Sequence, residues 1–252
     1  MLTEERKSQI LKEVNTKKSV TVQELKDELG VSESTIRRDI TSLSREGKLV
    51  KVFGGAVALD DPPSSEELSV LAKESINRDE KLRIAKYAAS LIVPGDYVYI
   101  DSGTTTEYMI GYINEKHATY VTNAVSHAKD LVRKGCKVLL IGGELKENTE
   151  AVVGADAILH IQKYHFSKGF FGTNGINMKL GYTTPDVREA LIKRVAIQNT
   201  QAGGRFVLAD HDKFGQSSAV TFSDFGGTVV ITDKNPGDLY MKSLDIKVAD
   251  EW

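Results

Sequence analysis

A single cysteine, Cys136, rules out an internal disulfide, so the chain must be held together by an apolar core. The start of a Cys-Lys-Val-Leu-Leu-Ile run is where a buried strand edge would place it. Long hydrophobic runs are also lacking: none approaches the roughly 18 residues that span a bilayer. The opening Met1-Leu2-Thr3-Glu4-Glu5-Arg6-Lys7 is charged instead of apolar, which predicts a cytosolic protein with no membrane partner. Neither a G-x-G-x-x-G fingerprint nor a Walker loop occurs, which argues against dinucleotide and nucleoside triphosphate cofactors. The histidines, His117, His127, His160, His165 and His211, form no i, i+4 pair, so no metal is expected.

What the chain does have is a globular composition, 40% hydrophobic and 27% charged, and a length that favours two domains. Net charge is only −2, yet it is unevenly placed. Residues 1–56 hold 11 Lys+Arg against 9 Asp+Glu, and the remainder 22 against 26. A mildly basic end on an acidic body suits a DNA-facing module joined to something else.

Thr21-Val22-Gln23-Glu24 has the spacing of a capping box, with Val20 and Leu25 placed to staple the helix start. Leu25 and Leu29 share one face and Gly30 ends the helix. Only Gly30-Val31-Ser32 separates that stop from the next start, where Ser32 is an N-cap and Glu33 suits the helix dipole. Two helices joined this tightly predict a helix-turn-helix.

In its second helix Ile36, Ile40 and Leu43 form the buried stripe, which turns Ser34, Thr35, Arg37, Arg38 and Thr41 to solvent. Hydroxyls and guanidinium groups on one face are what reading base edges and clamping phosphates require, and Ser32 joins them at the helix start. Beyond Gly47, two apolar runs hinged at Gly54-Gly55 predict a hairpin wing whose Lys48 and Lys51 contact phosphates.

The stretch Val31-Ser32-Glu33-Ser34-Thr35-Ile36-Arg37-Arg38-Asp39-Ile40, with Gly54-Gly55-Ala56, resembles the DNA-binding signature of the DeoR family of bacterial sugar-metabolism repressors. The resemblance implies a winged helix-turn-helix over residues 1–57. Phe53 departs from the pattern, since many members carry a histidine there.

Asp60-Asp61-Pro62-Pro63-Ser64-Ser65-Glu66-Glu67 reads as a linker, placed at 58–75, with a larger domain over 76–252. Ile84, Ala85, Ala88, Ala89 and Ile92 predict an amphipathic helix ending before Pro94-Gly95. Candidate strands follow at 97–100, 119–121, 137–141, 169–171 and 205–209, mostly separated by helical segments. Such alternation predicts an α/β fold with a largely parallel sheet, whose ligand lies beyond the strand C-terminal ends.

After the first strand comes Asp101-Ser102-Gly103-Thr104-Thr105-Thr106, leading into a helix near Thr105. A glycine, several hydroxyls and a helix N-terminus make a phosphate cradle, better suited to a phosphate monoester than to a nucleotide. Other strand ends are also small or polar: Thr122-Asn123, Gly142-Gly143, Gly172 to Gly175, and Asp210 with Lys213. No acid and base pair is legible among Asp101, Asp210 and Lys213, so catalysis is not expected.

From about Asn77 to Pro236 the chain is similar to the DeoR-family sensor domain, which in fold looks like phosphosugar isomerases. The resemblance implies that Asp101, Gly103, Thr104 and Thr105 hold phosphate and hydroxyls, with Thr122, Asn123, Gly142 and Gly143 as walls. It also implies that Lys213 meets the effector anion. Glu189 and Lys193 match the family's Glu-Ala-x-x-Lys helix, although a surface i, i+4 ion pair explains them as well.

Gly143-Glu144-Leu145-Lys146, Gly169 to Ile176 and Gly181 to Asp186 look most like repressors of fructose phosphotransferase operons, which implies fructose 1-phosphate, or tagatose 6-phosphate as in a related branch. A dimer or tetramer on palindromic operator DNA completes the expected partners.

Overall fold

The structure, a computed structural model, describes residues 2–59 and 73–249. Most of the expected linker at 58–75 therefore lies outside the described residues. The N-terminal part runs α1 (Thr3–Lys17), β1 (Ser19–Thr21), α2 (Val22–Leu29), α3 (Glu33–Arg45), β2 (Val50–Val52) and β3 (Gly55–Val57). The capping box forms as its spacing predicts: Glu24 N donates to Thr21 Oγ1 at 3.1 Å, and Thr21 N to Glu24 Oε2 at 2.6 Å. Ile10 and Val14 of α1, Leu25 of α2, and Ile36, Ile40 and Leu43 of α3 make one core, each side chain contributing about 1.5–3 kcal/mol on burial. A buried ion pair, Arg6 Nε to Asp39 Oδ2 at 2.5 Å, ties α1 to α3.

The three strands form an antiparallel sheet in the order β1-β3-β2. The hairpin is one residue offset from the sequence expectation. Phe53 and Gly54 make the turn, and of the Gly54-Gly55 pair only Gly54 takes positive φ, +81°. Gly55 is needed for a different reason: a Cβ there would lie 2.0 Å from the Val20 carbonyl of β1. Close strand approach, not turn conformation, requires the second glycine.

The larger part begins with α4 (Arg78–Ser90), β4 (Tyr97–Ile100), α5 (Thr104–Tyr112), β5 (Thr119–Thr122), α6 (Val125–Arg133) and β6 (Lys137–Leu140). It continues through β7 (Glu144–Leu145), β8 (Val152–Val153), α7 (Ala155–Ile161), β9 (Lys168–Gly172), β10 (Gly175–Asn177), β11 (Gly181–Thr184) and α8 (Val187–Gln198). β12 (Arg205–Leu208), β13 (Val220–Ser223), β14 (Thr228–Thr232), α9 (Asp238–Ser243) and β15 (Asp245–Val248) complete it.

Seven strands pair in the order β15-β14-β12-β9-β4-β5-β6, and every pairing is parallel. Five of them coincide with the expected strands; β14 and β15 extend the sheet beyond those five. Alternate side chains feed two cores, Tyr99, Val121, Phe171 and Val207 on one face, Val98, Tyr120, Phe170 and Leu208 on the other. Helices α7 and α8 cover the first face and α4 and α5 the second. From β4 the chain winds outward to β5 and β6, then crosses back to β9 and winds the other way. The carboxyl ends of β4 and β9 therefore flank the crevice where such sheets bind ligands.

The two parts touch. A Cβ built at Gly215 would meet Lys18 Cβ at 3.5 Å, and one at Gly237 would meet Ser19 Oγ at 3.6 Å. α9 packs beside β1 at the same contact.

Candidate DNA-binding face and effector cavity

Helix α3 presents Arg37, Arg38, Thr41, Ser42 and Arg45 around one shallow surface cleft. Ser32 caps the helix by accepting from Thr35 N at 3.3 Å, and its hydroxyl also contacts Ser34 and Thr35 hydroxyls at 2.9 Å. Arg37 is more than half exposed and leans on Glu33 at 3.3 Å, a partner that a phosphate or base edge can replace at little cost. Lys51 of β2 donates to Thr41 Oγ1 at 3.0 Å, which joins the wing to this face. Lys48 pairs with Glu46 at 2.8 Å. Ser42 and Arg45 were not among the sequence candidates, although they continue the exposed face by one turn.

At the switch between β4 and β9 lies a cavity that opens to solvent. Ser102 to Thr106 after β4, Gly172 to Asn174 after β9, and Asp210 with Lys213 after β12 line it. Gly103 has φ +153° and no side chain caps α5, so the first-turn amides of that helix remain available to an anion. Thr106 is spent on the loop itself, donating to the Asp101 and Gly103 carbonyls at 2.7 and 2.8 Å. His127 of α6 is buried, and that burial pushes its imidazole down to about 4 against the opposing pull of Asp130 and the Gly103 backbone.

Two lysines that sequence reasoning missed, Lys73 and Lys81, close the wall nearest the linker. Lys81 is buried and donates to the Lys73 carbonyl at 2.5 Å. Burial lowers its pKa, Lys213 and Lys73 push the same way, and Asp210 opposes them. A signal was present: Lys81 shares the i, i+3, i+4, i+7 stripe with Ile84, Ala85 and Ala88, and a lysine on a buried stripe needs a reason to be there. Asn77, at the α4 N-terminus, donates to Asp210 at 3.1 Å and Asp212 at 2.7 Å, so the loop after β12 is latched to the linker end. An adjoining hollow shares Lys73, Lys81, Asn174 and Lys213, and adds Gln216, Ser217 and Ser218.

Glu189 and Lys193 are not the surface pair that their spacing allowed. Both are buried on α8, and each takes a partner from another element. Lys193 donates to Asp101, and Gly172 N donates to the same carboxylate oxygen at 3.0 Å. Glu189 accepts from Lys146 at 2.9 Å and Thr149 at 2.8 Å, while Lys146 also meets Asp186 at 2.8 Å. Burial opposes ionisation of Glu189, but Lys193 and Lys146 outweigh it and hold the carboxyl below its ordinary value. The result is an alternating chain of charge, Asp101, Lys193, Glu189, Lys146, Asp186, that fixes the cavity floor.

Of the expected cavity residues, Ser102, Gly103, Thr104, Thr105, Thr106, Asp210 and Lys213 line it together. Asp101 stands behind Lys193. Thr122, Asn123, Gly142 and Gly143 do not line it, and support it from the neighbouring strand ends instead. Asn123 Oδ1 accepts from Ser102 N at 3.2 Å and Tyr99 Oη at 3.0 Å. Thr122 Oγ1 accepts from Ala124 N, Gly142 N donates to His160, and Gly143 packs on β8.

Comparison with known proteins agrees with this architecture. Residues 6–61 match the DeoR-like helix-turn-helix domain and residues 76–234 the DeoR C-terminal sensor domain. An uncharacterized HTH-type transcriptional regulator, FruR of Bacillus subtilis (strain 168), is 41% identical over 253 residues, covering 99% of each chain. The lactose phosphotransferase system repressor of Staphylococcus aureus (strain NCTC 8325 / PS 47) is 36% identical over 233 residues, covering 91% of each. Among solved structures, ribose 5-phosphate isomerase A of Methanocaldococcus jannaschii is 14% identical, with 55% of each chain covered and a TM-score of 0.41. With both modules matched and full-length relatives above 30% identity, the chain belongs to the DeoR family of DNA-binding transcriptional regulators.

Proposed function

We propose that this regulator represses a sugar uptake and catabolism operon and releases its operator when a phosphorylated sugar, fructose 1-phosphate first among candidates, fills the cavity between β4 and β9. The observation that carries the effector class is the cavity's lining: uncapped amides of α5 face Lys81 and Lys213 across a hydroxyl-rich pocket. Amides and ammonium groups take the phosphate, while Asn174, Thr149 and Glu189 offer partners to sugar hydroxyls. The names of the relatives, FruR and a lactose phosphotransferase system repressor, support a sugar operon. Tagatose 6-phosphate is the second candidate.

The loop from Asp210 to Ser218 supports communication with DNA. Its first residues line the cavity and Gly215 abuts Lys18 of the winged helix, so a ligand that draws in Lys213 acts on a segment touching both parts. Only a ligand with different affinities for the two arrangements shifts operator binding. Catalysis does not fit, because Lys193, which lines the cavity, is held in an ion pair by the buried Asp101 behind it and is not free to act as a base. We place the protein in the cytoplasm, as a dimer or tetramer holding two α3 helices at half-site spacing.

Fluorescence anisotropy on promoter DNA adjoining the protein's own gene tests this directly. Release by fructose 1-phosphate alone supports the reading as stated. Release by tagatose 6-phosphate alone reassigns the effector, and tight binding indifferent to both overturns the sugar-phosphate part.

A further inference from the structure

We propose that Phe53, at the tip of the wing, is an apolar wedge that enters the operator's minor groove beside the site read by α3. This rests on the DNA-binding role of the winged helix and adds a contact that its charges and hydroxyls do not supply. Phe53 is 97% exposed, more than any other large apolar side chain among the described residues. It takes no part in the N-terminal core. Nor does the turn require it, because Gly54 alone carries the positive φ. An isolated exposed leucine would need no account, but this ring has a defined setting.

Two contacts set its position. The tight fit of Gly55 on Val20 holds β3 against β1, so the hairpin projects as a stiff unit. The bond from Lys51 to Thr41 then places that unit alongside the Arg37, Arg38 and Arg45 cleft. The major groove admits one helix, so with α3 seated there a projecting wing meets the neighbouring minor groove. The walls of that groove are largely deoxyribose, and aromatic or aliphatic side chains inserted into it press between base steps. A phenyl ring on a wing that also carries Lys51 matches those surfaces, whereas phosphates alone would favour another lysine.

Phe53→Trp in a Trp252→Phe background puts the chain's only indole at the wing tip. Titration of this full-length variant with operator DNA should quench and blue-shift the emission in step with the rise in anisotropy. Phe53→Ala should weaken operator binding about tenfold, a fraction of the full burial value of a phenyl ring, and leave the melting temperature unchanged. Replacing flanking A·T pairs by G·C, which places the guanine amino group in the minor groove, should weaken the parent protein more than Phe53→Ala. Inosine·cytosine pairs, which lack that group, should not.

An indole that stays solvent-like while anisotropy reports binding overturns the wedge and leaves the DNA reading intact. Absence of operator binding by the parent protein overturns the DNA reading itself. Equal losses for parent and Phe53→Ala on G·C flanks overturn the minor-groove placement.

Discussion

The two parts of the molecule hold their working groups in opposite ways. On the winged helix Arg37 is more than half exposed and its partner Glu33 nearly as much, so the pair exchanges freely for a phosphate or base edge. In the sensor, the side chains of Lys193 and Asp101 are only 4% and 1% exposed, and neither can leave the other without stranding a charge. DNA supplies a long, hydrated, charged surface, so mobile donors suffice. A small ligand must be recognised from a few directions at once, and that requires a floor that does not move.

Removing one charge from each pair separates the buried arrangement from the exposed one. Lys193→Met should destabilise the sensor by about 3–5 kcal/mol in chemical denaturation, because Asp101 is left buried and unpaired. Glu33→Gln, which frees Arg37, should change stability by less than about 1 kcal/mol and leave operator affinity undiminished. Similar costs for both would mean that exposure is not what separates them.

Acid should act on the sensor through His127. Its folded-state pKa of about 4 lies below the ordinary 6.5, so on acidification the unfolded chain takes up its proton first. The contribution of this group is complete above pH 6.5 and is lost progressively as pH falls toward 4, by about 3 kcal/mol in all. Thermal melts across that range check the slope, and His127→Gln should flatten it.

Arg37→Ala should weaken operator binding by about 10- to 100-fold and relax its sequence preference, with effector binding by calorimetry unchanged. Thr104→Val should do the reverse, reducing effector affinity about tenfold with operator affinity intact. Loss of both functions from either change would dissolve the division of labour. The smallest expected effect lies at the contact between the parts. Lys18 closes α1 at φ +62°, so Lys18→Gly should add about 1 kcal/mol of stability. By removing the side chain that abuts Gly215, it should also reduce effector-induced release, measured as the ratio of operator affinities with and without sugar phosphate.

Much of the winged helix was legible because its signals are local. The Thr21 to Glu24 box, the Ser32 cap and the Ile36, Ile40, Leu43 stripe each lie within two helical turns and form as their spacing predicts. The loop from Ser102 to Thr106 was legible for the same reason, since it adjoins both a strand end and a helix start. Thr122, Asn123, Gly142 and Gly143 were harder to place. Standing at a strand end shows that a residue is near the crevice, but the sheet order decides whether it faces the lumen. Of the two strands beyond the expected five, Thr228–Thr232 carries a run as apolar as the others, whereas Asp245–Val248 alternates charged and apolar residues, and neither follows a helix as long as those earlier in the chain.

Periodicity and neighbours a few residues apart were enough to specify a helix-turn-helix with an exposed cationic face, followed by a parallel α/β domain with a hydroxyl-rich loop at a helix start. Folding in three dimensions was needed to pair Lys193 with Asp101, to turn Glu189 to Lys146, and to bring Lys73 and Lys81 to the linker side of the cavity. Each of those contacts joins residues far apart in the chain, and an i, i+4 spacing on a helix cannot say whether a charge faces water or a buried partner.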